Sequence, residues 1–259
     1  MNVSSTSGVW RELSDGFLIK EEDGETFIFS PGRKLSIRIK PDGYIPKTGL
    51  HMAQAMLDLP VIGKSVLDIG TGETGILANC LKCQGATKVI ACDIDESAIR
   101  HAMIACRQVE GIEWLVGNLY SAISPQRFDI IVSNPPQMPM PSVGHHHDYG
   151  GKDGRQIILG IMENASEYLT TDGHLIIGVF DILGTDQQTN ENPSLAQIGL
   201  SLGFSFSLLS FLDRPIRKGG ETEKNLGWIQ ECYPLYKFRQ DDNGNLIYQL
   251  QVVQFNRMG

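Results

Sequence analysis

Two short stretches bring together residue types that could do chemistry. The first is Val66-Leu67-Asp68-Ile69-Gly70-Thr71-Gly72-Glu73-Thr74-Gly75, an apolar run that ends in glycines. Glycine lets a backbone turn tightly and approach a ligand with no Cβ in the way. A helix that follows such a turn offers free N–H groups. The spacing Gly70-x-Gly72-x-x-Gly75 suits a dinucleotide or an adenosyl ligand alike. Asp68 separates the two: its carboxylate repels a pyrophosphate and suits the sulfonium and ammonium of S-adenosylmethionine. Asp93 ends the next apolar run, where a carboxylate can accept ribose hydroxyls, although nicotinamide enzymes share that feature. Ile94, Asn118 and Leu119 close later turns on the same side. Asn118 either reaches an adenine edge or caps the segment after it.

The second stretch is Ser133-Asn134-Pro135-Pro136-Gln137. Consecutive prolines fix φ and stiffen the chain, so an Asn amide and the next carbonyl are held in place. A planar amide or amino nitrogen is a poor nucleophile because its lone pair is delocalised. Acceptors at Asn134 and Pro135 can bind its N–H groups, orient the lone pair and stabilise the developing charge. The alternative is a stiff turn with no chemistry. Its place after a strand, downstream of a glycine turn, favours the chemical reading.

These residues need a scaffold, and the pattern supplies one. Apolar runs at 65–69, 88–93, 112–116, 128–132 and 174–180 alternate with helical periodicity near 74–81, 96–106 and 156–169. Strands alternating with helices imply right-handed crossovers and a mostly parallel sheet. In such sheets ligands bind outside the carboxyl ends of the strands, where both stretches fall. Residues 1–48 hold short alternating segments broken by Pro-Gly and Pro-Asp-Gly, which predicts a small β-rich element. Residues 49–259 form the expected catalytic domain, with an insertion at about 213–245 between β-like segments at 204–212 and 246–255.

Bulk properties narrow the partners. The chain has 259 residues, 41% of them hydrophobic and 20% charged, with a formal net charge of −8. An acidic body disfavours non-specific nucleic-acid binding. No apolar run approaches the roughly 20 residues that span a bilayer, and the first residues lack a secretory core, so a cytoplasmic address is expected. The five scattered cysteines, with one lone CxxC at Cys80 and Cys83, read as reduced packing residues rather than a zinc site. His145-His146-His147 reads as a solvated loop, a substrate contact or a proton relay. Consecutive side chains point in alternating directions and seldom share one ion, so no metal is expected.

VLDIGTGETG, ACDID, SNPPQ and Gly150-Gly151-Lys152-Asp153-Gly154-Arg155, in that order, resemble the class I methyltransferases of the HemK type. That family methylates glutamine amide nitrogens in peptide release factors, and relatives act on exocyclic amino groups of DNA and RNA. Tyr44-Ile45-Pro46-Lys47-Thr48 is similar to the family's approach to the cofactor. The resemblance covers roughly residues 44–180. It implies a seven-stranded, mostly parallel, doubly wound Rossmann-like sheet with one antiparallel member among the last strands. It implies that Asp68, Gly70, Gly72, Gly75, Asp93, Ile94, Asn118, Leu119 and Thr48 hold S-adenosyl-L-methionine, with Asn134, Pro135, Pro136 and Gln137 at the target nitrogen. Two features depart from it. Gln137 stands where the family has an aromatic ring, and the N-terminal region is β-rich rather than helical. The acceptor is therefore expected to be a small molecule or a peptide or protein amide, ahead of a nucleic-acid base. Tyr44, His146, Tyr149, Trp228 and Tyr233 are candidate substrate contacts. Trp228 and Tyr233 lie in the aromatic stretch of the insertion, where packing onto the sheet is the alternative.

Overall fold

A computed structural model of the chain describes residues 10–14, 16–22, 25–30, 35–40, 43, 45–143 and 147–258. The candidate residues Tyr44 and His146, with His145, lie outside the described residues. The chain divides into two compact units, Met1–Ser124 and Pro125–Gly259.

The first unit begins with a four-stranded antiparallel sheet: β1 (Arg11–Ser14), β2 (Phe17–Glu22), β3 (Glu25–Ser30) and β4 (Leu35–Ile39). The alternation of β4 buries Leu35, Ile37 and Ile39 on one face, as period-2 patterning requires. Helix α1 (Lys47–Ala55) comes next, followed by β5 (Ser65–Ile69), α2 (Ile76–Cys83), β6 (Lys88–Asp93), α3 (Glu96–Ala105) and β7 (Ile112–Val116). Strands β5, β6 and β7 are parallel neighbours, with Leu67 opposite Ile90 and Ile90 opposite Glu113. Val66, Leu67, Val89, Ile90 and Ala91 are buried, which is the near-continuous apolar signature of a parallel sheet covered on both faces. The β4 strand packs on α2 and α3.

The second unit contains β8 (Phe128–Ser133), α4 (Gln156–Tyr168), β9 (Leu169–Phe180), a 3-10 turn at Asp181–Leu183, α5 (Leu195–Ser201) and β10 (Phe204–Pro215). It continues with α6 (Glu221–Lys224), α7 (Leu226–Cys232), β11 (Arg239–Gln240) and β12 (Leu246–Arg257). Strand β8 pairs parallel with β9. Strand β12 is antiparallel to both β9 and β10, so β10 runs in the direction of β9 and β12 is the antiparallel member. Among the described residues, β5, β6 and β7 of the first unit and β8, β9, β10 and β12 of the second are the seven strands the resemblance implies, and short β11 pairs with β12.

Three elements differ from the reading of the sequence. Strand β9 starts at Leu169, directly after α4, because the fully buried Leu169 already pairs with Phe128. Helix α1 lies in a segment read only as a boundary. It packs closely on α2: a Cβ at Gly49 would lie 2.6 Å from Ile76 Cγ2. Helix α7 occupies the aromatic part of the insertion, with Ile229 turned fully inward.

Candidate active site

In the first unit the glycine turn joins the carboxyl end of β5 to α2. Gly70, Gly72 and Gly75 all have positive φ, at 71°, 65° and 56°, a region that costs an L-residue roughly 1–2 kcal/mol. The turn is pinned to β6, because the Gly70 and Thr71 amides donate to the Cys92 carbonyl at 2.9 and 3.0 Å. A Cβ on Gly70 or Gly72 would meet nothing within 4 Å, so open space lies beside both. Gly75 is different: a Cβ there would lie 2.7 Å from the Trp114 ring, so this glycine serves packing.

Asp68 is fully buried at the base of the turn. Its Oδ2 accepts from Thr71 Oγ1 at 2.6 Å and from the Ala78 amide at 3.1 Å. Its Oδ1 is buried with no hydrogen-bond partner. Burial pushes its carboxyl up to about 7, and the charge of Asp93 adds to the rise against the pull of the two hydrogen bonds. Asp93 ends β6 with both oxygens engaged: Oδ2 accepts from the Gly72 amide at 2.9 Å and Oδ1 from the Asp95 amide at 3.0 Å. A carboxylate oxygen has more than one acceptor site, so each can take a further donor. Ile94 beside it is 69% exposed, a large apolar side chain left open to solvent.

Asn118 is exposed, and its backbone amide donates to the Ser121 hydroxyl oxygen at 3.0 Å, so Ser121 caps this turn. Leu119 has φ of 50°, the only positive value outside glycine among the described residues. Thr48 is half-buried in the first turn of α1, which packs against α2. The orphaned Asp68 oxygen, the open space at Gly70 and Gly72 and the exposed Ile94 fit S-adenosylmethionine: a carboxylate for its cationic end, a cradle free of side chains, and an apolar surface beside a carboxylate.

In the second unit Asn134, Pro135, Pro136 and Gln137 follow β8. Asn134 and Pro136 are half-buried, while Pro135 and Gln137 are buried. The sequence leaves the Gln137 amide free to lie against a planar target, but the structure turns it inward. Its Nε2 donates to the Gly178 carbonyl at 2.8 Å and the Pro135 carbonyl at 3.3 Å, and its Oε1 accepts from the Phe180 amide at 2.6 Å. Buried amides satisfy their polar atoms, and here the edge of β9 supplies the partners. Gln137 thus fastens the proline loop to the carboxyl end of β9.

The Gly150–Arg155 loop packs on the same residue. A Cβ at Gly150 would lie 2.4 Å from Gln137 Cα, and one at Gly154 2.5 Å from the Gln137 carbonyl oxygen. The Met138 amide donates to the Asp148 carbonyl at 2.8 Å, and Tyr149 bridges to Met138. Tyr149 is half-buried and His147 exposed. Arg155 is buried and donates to the Pro193 carbonyl at 2.8 Å.

Trp228 and Tyr233 both reach this loop. Trp228 Nε1 donates to the Lys152 carbonyl at 2.7 Å, and the Tyr233 hydroxyl donates to the Asp153 carbonyl. Tyr233 is fully buried, so its hydroxyl holds α7 onto the loop. Sequence reasoning missed Asp181, which follows β9. It accepts from the Tyr236 hydroxyl at 2.9 Å and the Gln249 amide at 2.8 Å, and burial pushes its carboxyl upward. An acid ending an apolar strand was the available signal, the same one that marked Asp93. Among the described residues no group of three or more His, Cys, Asp or Glu is placed to hold a metal ion, and no helix is long and apolar enough to cross a membrane.

The alternation of strands and helices is that of a doubly wound α/β fold, and comparison with known proteins sharpens this. The Methyltransferase small domain family matches residues 50–192, and the chain belongs to that family. It is 31% identical over 157 residues to the release factor glutamine methyltransferase of Koribacter versatilis, covering 54% of this chain and 56% of that one. It is 30% identical over 186 residues to the enzyme of the same name from Salmonella typhimurium, covering 64% and 66%. The chain thus spans less than two thirds of the length of these relatives. Among solved structures, the YcgJ protein of Bacillus subtilis superposes with a TM-score of 0.53 at 15% identity, over 81% of this chain and 99% of that one. A methyltransferase from Pyrococcus furiosus does so at 0.50 and 19%, over 86% and 90%. The fold is the class I methyltransferase fold.

Proposed function

We propose that the chain transfers the methyl group to a planar amide or amino nitrogen of a peptide, protein or small molecule. The observation that carries this is the stiff Asn134-Pro135 pair, fastened through Gln137 to the end of β9. Asp68, Gly70, Gly72, Asp93 and Ile94 would hold the cofactor, with Thr48, Asn118 and Leu119 on the flanking turns. S-adenosylmethionine supplies an electrophilic methyl group when bound.

The Asn134 side-chain oxygen and the Pro135 carbonyl accept the two N–H groups of the acceptor. The Pro135 oxygen also takes the long hydrogen bond from Gln137, and a carbonyl has a second lone pair for the acceptor. Holding both N–H groups turns the nitrogen lone pair outward and stabilises the positive charge that grows on it. The proton leaves to water afterwards, so no strong base is required. The relatives' names make a protein glutamine the first acceptor to test.

The test is transfer of a tritiated methyl group to fractions of a cell lysate and to a release-factor domain. Incorporation into protein or metabolite that is lost in Asn134→Ala supports the reading. Full transfer by that variant, or transfer to oxygen or carbon, overturns it.

A further inference from the structure

A pocket of about 380 Å³ opens in the second unit, walled by Tyr233, Pro234, Tyr236 and Phe238, with Lys237 and Gln230 also lining it. The depression is open to solvent, so it would cover one face of a ligand rather than enclose it. Tyr236 and Phe238 meet edge to face, with ring centroids 4.9 Å apart, which makes a right-angled aromatic corner. Lys237 is exposed and has no ion pair or hydrogen bond among the described residues. The nearby cation Arg239 is spent on Asp213 at 2.5 Å. The exposed ammonium of Lys237 is thus available to a ligand, while Asp181 at the wall is taken up by the Tyr236 hydroxyl and the Gln249 amide, on a body whose net charge is −8.

The pocket is joined to the proline loop by two routes. Tyr236 donates to Asp181, which directly follows Phe180, and the Phe180 amide donates to Gln137. Tyr233 donates to the Asp153 carbonyl, in the loop whose glycines close on Gln137. Each route leads from a wall of the pocket to the residue that holds Asn134 and Pro135 in place.

We infer that this pocket is an acceptor subsite that takes a flat apolar group bearing a negative charge, carried by the acceptor beside its methylated nitrogen. The aromatic corner covers the flat group, since aromatic pairs favour edge-to-face contact, and Lys237 meets the anion. The assignment to the acceptor rests on the reading that Asn134 and Pro135 bind the target nitrogen. The binding chemistry of the pocket stands independently of it.

The experiment titrates the ¹⁵N-labelled full chain with 3-phenylpropionate, and with 3-phenylpropanamide and 3-phenylpropylamine as neutral and cationic counterparts. Amide shifts at residues 230–246 and at their hydrogen-bond partners around Asp153, Asp181 and Gln249 are expected, with the anion binding about fivefold more tightly than the neutral amide, the scale of one exposed charge pair. Lys237→Gln should erase that preference while melting like the parent, and Phe238→Ala should weaken all three probes. Shifts elsewhere, equal binding of anion and amide, or a preference that survives Lys237→Gln overturn the subsite. In the lysate assay, saturating 3-phenylpropionate should depress methyl incorporation, and undiminished incorporation overturns the assignment to the acceptor. The titration reads no methyl transfer, so its failure and the failure of the N-methylation reading are separate results.

Discussion

The Gln137 side chain receives the Phe180 amide at 2.6 Å and donates to the Gly178 carbonyl two residues earlier. One amide thereby replaces two hydrogen bonds that the edge of β9 would otherwise leave open. Gln137→Ala removes both and leaves buried backbone groups unpaired. The expected cost is about 3 kcal/mol, a fall in melting temperature of roughly 6–12 °C for a chain of this size. Gln137→Tyr restores the ring of the related family but is expected to melt earlier than the parent as well, because a larger side chain has no room where Gly150 and Gly154 close on this residue. Thermal unfolding of the two variants checks this, and a Tyr variant as stable as the parent would refute it.

Asn134→Ala is expected to lower methyl transfer about 100-fold or more, the scale of losing one preorganised hydrogen-bond partner at a reacting centre. Affinity for S-adenosylmethionine should change by less than about threefold, since Asn134 is assigned to the acceptor. Calorimetry of cofactor binding beside steady-state kinetics separates the two effects.

The Asp68 carboxyl has a pH signature. Burial raises it to about 7, so between the ordinary carboxylate range and pH 7 the free protein holds a proton that the unfolded chain has lost. Stability from this group is full below about pH 4 and declines as pH rises through 7. A cationic ligand favours the ionised form, so cofactor binding should strengthen from pH 6 to 8 and release a proton. Titrations in buffers of different ionisation enthalpy count that proton, and Asp68→Asn should abolish both the proton release and the pH dependence.

Gly150→Ala places a methyl group 2.4 Å from Gln137 Cα, against backbone that cannot swing aside. A loss of about 1–3 kcal/mol is expected from such overpacking, with methyl transfer falling further than stability accounts for, because the displaced residue fixes the proline loop. Gly70→Ala is the contrasting case. Its Cβ meets no protein atom, so folding should suffer only the positive-φ strain of roughly 1–2 kcal/mol, whereas cofactor affinity should drop about tenfold or more as the methyl fills the cradle. Melting curves and cofactor titrations on both variants distinguish them.

Much of the scaffold was legible because its signals are local. The β5 run and its glycines, the acid that ends β6 and the prolines after β8 each declare a geometry within ten residues of chain. The inward turn of Gln137 was not legible, because its partners are backbone atoms of Gly178 and Phe180, 41 and 43 positions away, and carry no side-chain signature. The same holds for the Tyr233 hydroxyl, which is bound to a carbonyl 80 residues earlier. Helix α1 carries a glycine in its first turn, Gly49, whose reason is the close approach of Ile76, a contact 27 positions away that no local pattern announces.

Trp228 and Tyr233 grip the loop through the carbonyls of Lys152 and Asp153, not through their side chains. Any residue at 152 presents the same carbonyl, so that position is free to drift in sequence without loosening the insertion, whereas the Asp153 side chain also accepts the Arg155 amide and holds the loop's shape. The attachment behaves like a socket of fixed shape. An insertion from another source that offers two ring donors at the same spacing would seat there, so exchanging the segment between β10 and β12, residues 216–245, is the way to test its part in acceptor choice while Asn134 and its prolines stay unaltered.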